Sequence, residues 1–301
     1  MDWLTNHCSC PTAGAEPAFA IRDLNFRATP VEGRMMRCPA CAALFPDAFP
    51  APAVVTHAYA GYYTARAARG GWRGWLRGVT DRWRRPYLRR HLPAGARRVL
   101  DYGCGSGAYL TAVNKEGPGR ETFGTDLGGP PAETGSYRWL ESSEVATAAP
   151  FDWITLGHVL EHLADPAEVI AGLAGRLAPG GGLWIATPNS ESLLFRAAGS
   201  WARDVDFPRH REIFSRRGLD RLVGDAGLSA RFVSPPRLNA ALNAASTIVN
   251  MLRDPAAGRW IRLRAAAGVC TALAAHCLSP RKARDQTAPE LIAICRAPTK
   301  P

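Results

Sequence analysis

Asp101-Tyr102-Gly103-Cys104-Gly105-Ser106-Gly107 places three glycines at alternate positions, two residues after an acid, behind a hydrophobic run and ahead of the helix-like Ala108-Tyr109-Leu110-Thr111-Ala112-Val113. Glycines so spaced let the backbone turn sharply and let a ligand lie against main-chain N–H groups at a helix N-terminus. The spacing differs from the dinucleotide pattern G-x-G-x-x-G, and a carboxylate there suits an amine or hydroxyl better than a pyrophosphate, which it would repel. Asp126 ends the next β-like run, where a carboxylate can accept both hydroxyls of a ribose. Together the two features ask for a nucleoside without evidence of phosphates.

A second set of residues could move a proton. In Gly157-His158-Val159-Leu160-Glu161-His162 the histidines stand one helical turn apart. An imidazole with an ordinary pKa near 6.5 can take a proton from a hydroxyl, giving a rate that rises with pH through about 6 to 8. His210, preceded by Asp206 and Arg209, has the same standing. The plainer alternatives are that His162 braces the helix that follows and that His210 belongs to a surface loop.

Cysteines form a third set. Four of the eight, Cys8, Cys10, Cys38 and Cys41, fall in the first 41 residues. Cys38-Pro39-Ala40-Cys41 has the C-x-x-C spacing that lets two thiolates share one tetrahedral ion. The other half reads His7-Cys8-Ser9-Cys10, so either Cys8 and Cys10 ligate, or His7 and Cys10 with Cys8 spare. In a reducing compartment such a cluster reads as a structural zinc site rather than as disulfides; free thiols on a degenerate knuckle are the alternative.

The elements that must position these groups follow from composition and pattern. With 301 residues, 47% hydrophobic and 21% charged, the chain has room for one large domain plus an accessory module, and is neither a disordered tail nor a disulfide-stapled miniprotein. No basic stretch leads into an apolar core at the N-terminus, and no uncharged apolar run reaches the roughly 18 residues of a spanning helix. The cytoplasm is the expected compartment.

Four stretches differ in character. Residues 1–50 are predicted to be a loop-rich, zinc-held module, residues 51–96 a basic, aromatic, helical lead-in, and residues 97–301 the main domain, with 236–285 a helical insertion. Within the main domain, seven β-rich runs are predicted as strands: 98–102, 122–125, 137–140, 151–156, 182–186, 230–233 and 290–295. Crossovers between them imply an α/β fold, a seven-stranded doubly wound Rossmann-like sheet whose ligand sits at the carboxyl ends of the strands near the switch point. Two prolines and three glycines in 127–136 predict that the second crossover helix is degenerate.

The net charge of +11 is concentrated: residues 66–98 carry eleven arginines against the single acid Asp81. Tryptophans and tyrosines interleave with them. Such a segment suits a solvated helix, an anionic membrane surface or lipid-linked substrate, or, ranked last, nucleic acid. Residues 236–285 add eight basic side chains against two acids, and Ala265–Leu278 holds no formal charge, so the tail could lie in an interface or cap the sheet.

Asp101–Gly107, Asp126, the run Phe151–His162, and Leu177-Ala178-Pro179-Gly180-Gly181-Gly182 through Asn189 together resemble the class I S-adenosylmethionine-dependent methyltransferases. Their order is similar to the branch of ubiquinone-pathway O-methyltransferases and methyltransferases of sugars and cell-surface glycans. Pro208-Arg209-His210, Phe214-Ser215, Leu219 and Ala226-Gly227-Leu228 extend the likeness, which covers residues 97–235. The resemblance implies S-adenosyl-L-methionine as cofactor, with Gly103, Gly105 and Gly107 along its methionine part and Asp101 near its amino group. It further implies Asp126 on the ribose, Leu140 or Glu141 near the adenine, and Gly157 and His158 beside the sulfonium. The acceptor it implies is a hydroxyl on a small molecule, sugar or lipid-linked glycan; the basic segments add the expectation that the cytoplasmic enzyme is peripheral to the inner face of a membrane. The base-modifying members' Asn/Asp-Pro-Pro-aromatic pattern is missing after the fourth strand, which ranks an RNA methyltransferase lower. A non-catalytic scaffold of the same fold would not need the glycine turn and Asp126 intact.

Overall fold

A computed structural model describes residues 10, 14–67, 90–117, 119–131 and 136–297. Its centre is a seven-stranded sheet of β4 (Arg98–Tyr102), β5 (Glu121–Thr125), β6 (Arg138–Trp139), β7 (Phe151–Gly157), β8 (Leu177–Pro188), β9 (Ser229–Phe232) and β10 (Glu290–Arg296). The spatial order is β6-β5-β4-β7-β8-β10-β9. β4, β5, β6, β7 and β8 run parallel, and β10 is antiparallel to both β8 and β9. All seven predicted strands are present. β8 starts at Leu177 rather than Gly182: Phe151 of β7 pairs with Leu177, and after a register shift Trp153 pairs with Gly182.

Val99, Leu100, Phe151, Ile154, Leu156, Leu183 and Ile185 are buried, as expected of parallel strands covered on both faces. The helices α2 (Ala108–Glu116), α3 (Ser142–Thr147), α4 (Pro166–Ala174), α5 (Leu193–Ala198) and α6 (Arg216–Asp225) begin at local signals. Asp165, Ser192 and Ser215 each accept the N3 backbone N–H of the helix they precede, a cap contributing about 1 kcal/mol. Among the described residues of 127–136 there is no helix, so the second crossover is indeed degenerate there.

The N-terminal stretch is more regular than a loop-rich reading predicts, and its small three-stranded sheet with cysteines nearby is compatible with the expected module. Residues 1–50 contain an antiparallel sheet, β1 (Glu16–Arg22), β2 (Glu32–Arg37) and β3 (Leu44–Pro46). This sheet also has a core, shared with the main domain: Ile21, Met35 and Leu44 pack with Leu194, Phe195, Phe207 and Ile213. Leu44 and Ile213 exchange backbone hydrogen bonds of 3.0 and 2.8 Å. Helix α1 (Pro52–Ala67) follows. Most of the arginine-tryptophan segment, residues 68–89, lies outside the described residues. The predicted insertion is found as α7 (Arg237–Arg253), α8 (Arg259–Leu278) and α9 (Arg281–Thr287); Ala240, Ala244, Met251 and Val269 complete the shared core.

Candidate active site

The chain leaves β4 toward β5 and β6, then returns to the other side of β4 as β7. A crevice at the carboxyl ends of β4 and β7 follows from that reversal, and the predicted residues gather there. Gly103, Gly105 and Gly107 all have positive φ, of 81°, 54° and 67°. A Cβ on Gly103 would lie 2.2 Å from Val159 Cγ2, and one on Gly107 2.2 Å from the Tyr137 ring. These glycines are therefore demanded by close approach of the chain as well as by φ. Sequence reading missed Tyr137, whose contact with Gly107 spans the first two crossovers.

The loop's amides are less open to a ligand than the spacing suggested. Gly103 N and Cys104 N donate to Thr125 O (2.7 and 3.0 Å), Gly107 N donates to Cys104 O (2.9 Å), and Gly105 N donates to Asp126 Oδ2 (2.9 Å). Asp126 Oδ1 accepts the Gly128 N–H at 2.8 Å. Asp126 thus ties the glycine turn to the end of β5, and each oxygen keeps a further lone pair for a hydroxyl. Asp101 is buried and accepts the Thr155 hydroxyl at 2.7 Å. Leu140 does not fit the adenine role through its side chain, which is 4% exposed and packed in the main core. Glu141 remains at the surface, where its carboxylate caps α3 and accepts the Trp139 indole N–H at 2.9 Å.

Gly157 and His158 end β7. His158 has φ 58°, a left-handed conformation uncommon for a side chain of this size, and its amide donates to Ala186 O at 2.8 Å. Its ring lies between two buried carboxylates, Nδ1 3.2 Å from Glu161 Oε1 and Nε2 3.0 Å from Glu290 Oε2. Burial alone would lower its pKa, but the hydrogen bonds and charges of Glu161 and Glu290 outweigh it and push the imidazole up to about 9. His158 is therefore a cation at neutral pH, which corrects its expected standing as a general base. Burial would raise the Glu161 carboxyl, yet the His158 hydrogen bond holds it down at about 2; its other oxygen accepts the Thr187 hydroxyl at 3.0 Å.

His162 and His210 meet edge to face, their ring centroids 4.6 Å apart. His162 Nδ1 is 3.0 Å from Arg209 O and 2.9 Å from the Tyr59 hydroxyl of α1. A carbonyl can only accept, so Nδ1 carries the hydrogen and Nε2 keeps the lone pair. His210 Nδ1 donates to Asp204 O at 2.8 Å, and its Nε2 lies 4.0 Å from Glu161 Oε1 and 3.8 Å from Asp206 Oδ2. Burial, with the neighbouring His210, pulls His162 down to about 4, so it is neutral near pH 7. Behind them the fully buried Arg209 pairs at 2.8 Å with Asp23, the residue after β1, and with Asp206. The N-terminal segment is thereby tied to the site at two points, through Tyr59 and Asp23. Glu161, His162 and His210 also bring ligand-type atoms within 4.8 Å of one another.

A family model described as a methyltransferase domain matches residues 74–231, more than half of the chain. The chain belongs to this methyltransferase family. Two curated relatives are named ubiquinone biosynthesis O-methyltransferase: one from Stutzerimonas stutzeri, 32% identical over 116 residues, 34% of this chain and 49% of the relative; one from Hahella chejuensis, 34% identical over 119 residues, 35% of this chain and 49% of the relative. The methyltransferase-family chain spans about half the length of the curated relatives it matches. A solved complex between the Haloferax volcanii Trm112 methyltransferase activator and a putative methyltransferase aligns over 79% of this chain and 98% of its own, at 18% identity and a TM-score of 0.51. That likeness concerns the fold alone.

Near the N-terminus, Cys10, Cys38 and Cys41 are buried with their sulfurs within 4.8 Å of one another. Arg221 Nη1 of α6 is 2.9 Å from Cys10 Sγ. Cys38 and Ala42 close the knuckle, Ala42 N donating to Cys38 O at 2.8 Å, with Ala42 at φ 67°. His7 and Cys8 lie outside the described residues.

Proposed function

We propose that this chain is an S-adenosylmethionine-dependent methyltransferase acting on a hydroxyl of a small-molecule, sugar or lipid-linked glycan acceptor, in the cytoplasm at the inner face of a membrane. One juxtaposition carries the reading: the positive-φ glycine turn clamped by Asp126 stands at the sheet's switch point, beside His162 and His210. The donor set fits the cofactor. Asp101 and Asp126 end neighbouring strands, and Glu161 and Glu290 leave the His158 clamp with a net negative charge, a setting that favours a cationic sulfur and an amino group.

When bound, S-adenosylmethionine supplies an electrophilic methyl carbon on a sulfur that leaves as a neutral thioether. Asp101 would hold the amino group and Asp126 the ribose hydroxyls. His158, an imidazolium fixed by two carboxylates, would shape the floor of the crevice. His162 or His210 would accept the acceptor's proton at Nε2 while alignment supplies much of the rate. The relatives' printed name, ubiquinone biosynthesis O-methyltransferase, supports oxygen as the atom methylated. Cys10, Cys38 and Cys41 would hold a structural zinc, with Cys8 or His7 as fourth ligand.

Calorimetric binding of S-adenosylmethionine, followed by a mass-resolved screen for methylated products among glycan precursors, lipid extracts and RNA, tests this reading. Binding without any methylated product would favour a scaffold. Products confined to RNA would replace the acceptor class.

A further inference from the structure

Helix α8 (Arg259–Leu278) is apolar on two faces, and only one of them is covered. Val269 and His276 are buried, and Ala265, Ala266, Ala272 and Leu273 pack on the shared core. Trp260, Leu263, Ala267, Cys270, Ala274 and Leu278 recur every three or four residues and are all exposed, so they form one outward stripe. Trp260 is 77% exposed and Leu278 85%. At the preceding turn, Val249 and Leu252 of α7 are exposed as well. Large aromatic and aliphatic side chains grouped this way on a surface mark an interaction site.

Charge decides among occupants. Arg253, Arg259, Arg262 and Arg264 surround the turn, and Arg281, Lys282 and Arg284 follow the helix. Asp254 is the one acid in residues 237–284, and it is buried against Arg22 and the Trp201 indole. A second copy would bring the same arginines face to face, which disfavours self-association. An anionic bilayer instead offers headgroup phosphates to the arginines and an acyl boundary to the stripe. Tryptophan at the charged end of the stripe matches the preference of indole for that boundary. By length and composition α8 could cross a membrane, with mean hydropathy 1.3 over its apolar window. Its inner face, however, is packed on protein, and three arginines occupy its first six residues, which sets it in the plane of the interface.

We propose that α8 and its leading turn dock this protein on anionic membrane surfaces, the stripe Trp260–Leu263–Ala267–Leu278 entering the acyl boundary beneath the arginines. This deepens the membrane-facing part of the reading above, and binding is measured without cofactor or acceptor, so its failure leaves the catalytic assignment standing.

The full chain is floated with vesicles of phosphatidylcholine containing about 30 mol% phosphatidylglycerol, and with phosphatidylcholine alone, anionic lipid supplying the attraction for arginine. At least tenfold more protein should float with the anionic vesicles. Trp260→Ser/Leu263→Ser and, separately, Arg259→Gln/Arg264→Gln should each lower the bound fraction at least tenfold, with unchanged circular dichroism and unchanged affinity for S-adenosylhomocysteine. Wild-type protein that stays at the bottom of the gradient overturns the proposal. So does a Trp260→Ser/Leu263→Ser variant that floats like wild type, which would move membrane contact to the 66–98 segment. A concentration-dependent dimer abolished by those substitutions, without lipid binding, would make a second copy the occupant.

Discussion

His158 and Glu290, 132 residues apart in sequence, meet at 3.0 Å between Nε2 and Oε2, and Glu161 holds the other ring nitrogen. The pairing raises the folded-state pKa of His158 to about 9, so its stabilisation is complete below the unfolded value near 6.5 and is lost as pH rises toward 9. His162 shifts the other way, to about 4, and its contribution is lost as pH falls from about 6.5 toward 4. Glu161, held near 2, loses its contribution below about 4.5. Thermal stability should therefore peak near pH 6.5. His158→Gln should flatten the alkaline limb in scanning calorimetry; an unchanged limb would show that the clamp does not set it.

Asp126 accepts one N–H from the glycine turn and one from its own loop. Asp126→Ala should weaken S-adenosylmethionine binding at least tenfold, about 1.4 kcal/mol of charge-assisted hydrogen bonding. Asp126→Asn keeps one carbonyl acceptor and should fall between the two. Equal calorimetric affinities in all three proteins would remove the ribose assignment.

With His158 held as a cation, base catalysis passes to His162 or His210. Alanine at the base should lower turnover by roughly 10²- to 10⁴-fold at near-normal cofactor affinity. If the base is His162, neutral above its pKa of about 4, the chemistry-limited rate should be flat from about pH 6 to 8 instead of rising as an unperturbed imidazole would. Tyr59→Phe removes a neutral hydrogen bond and should cost no more than about tenfold. Variants of His162 and His210 that both keep a third of wild-type turnover would end the histidine-base reading.

The three buried thiols predict a metal. Protein purified without added metal should carry about one zinc per chain, and Cys38→Ser/Cys41→Ser should lose it, because ligand loss uncouples binding from local folding. Metal-free wild-type protein with the same N-terminal protease pattern would sink the idea.

The central strands were legible because strands buried on both faces read as continuous apolar runs; Val99-Leu100 of parallel β4 and Ile292-Ala293-Ile294 of antiparallel β10 are examples. β1 and β2 were not, since Ile21 and Met35 are the one fully buried position in each and most of their packing partners lie beyond residue 190. The glycine turn and Asp126 could be read from local spacing. The roles of the histidines could not: Glu290, which helps to protonate His158, and Tyr59 and His210, which meet His162, come from distant elements. The burial of the Leu140 side chain was hidden for a related reason, as strand position reveals nearness to the crevice but not which way the side chain faces.

β10 lies inside the sheet, between β8 and β9, and carries Glu290 at its first position. During synthesis the ribosome must make the whole helical stretch 237–287 before this strand can insert. At roughly 5–20 residues per second, β8 waits several seconds with an unpaired edge bearing Leu183 and Ile185. The helical insertion thus acts as a delay line in biogenesis, and a nascent chain stalled within it would present a sticky sheet edge and a crevice without its second carboxylate. Chaperone engagement, if the cell provides it, belongs in that interval.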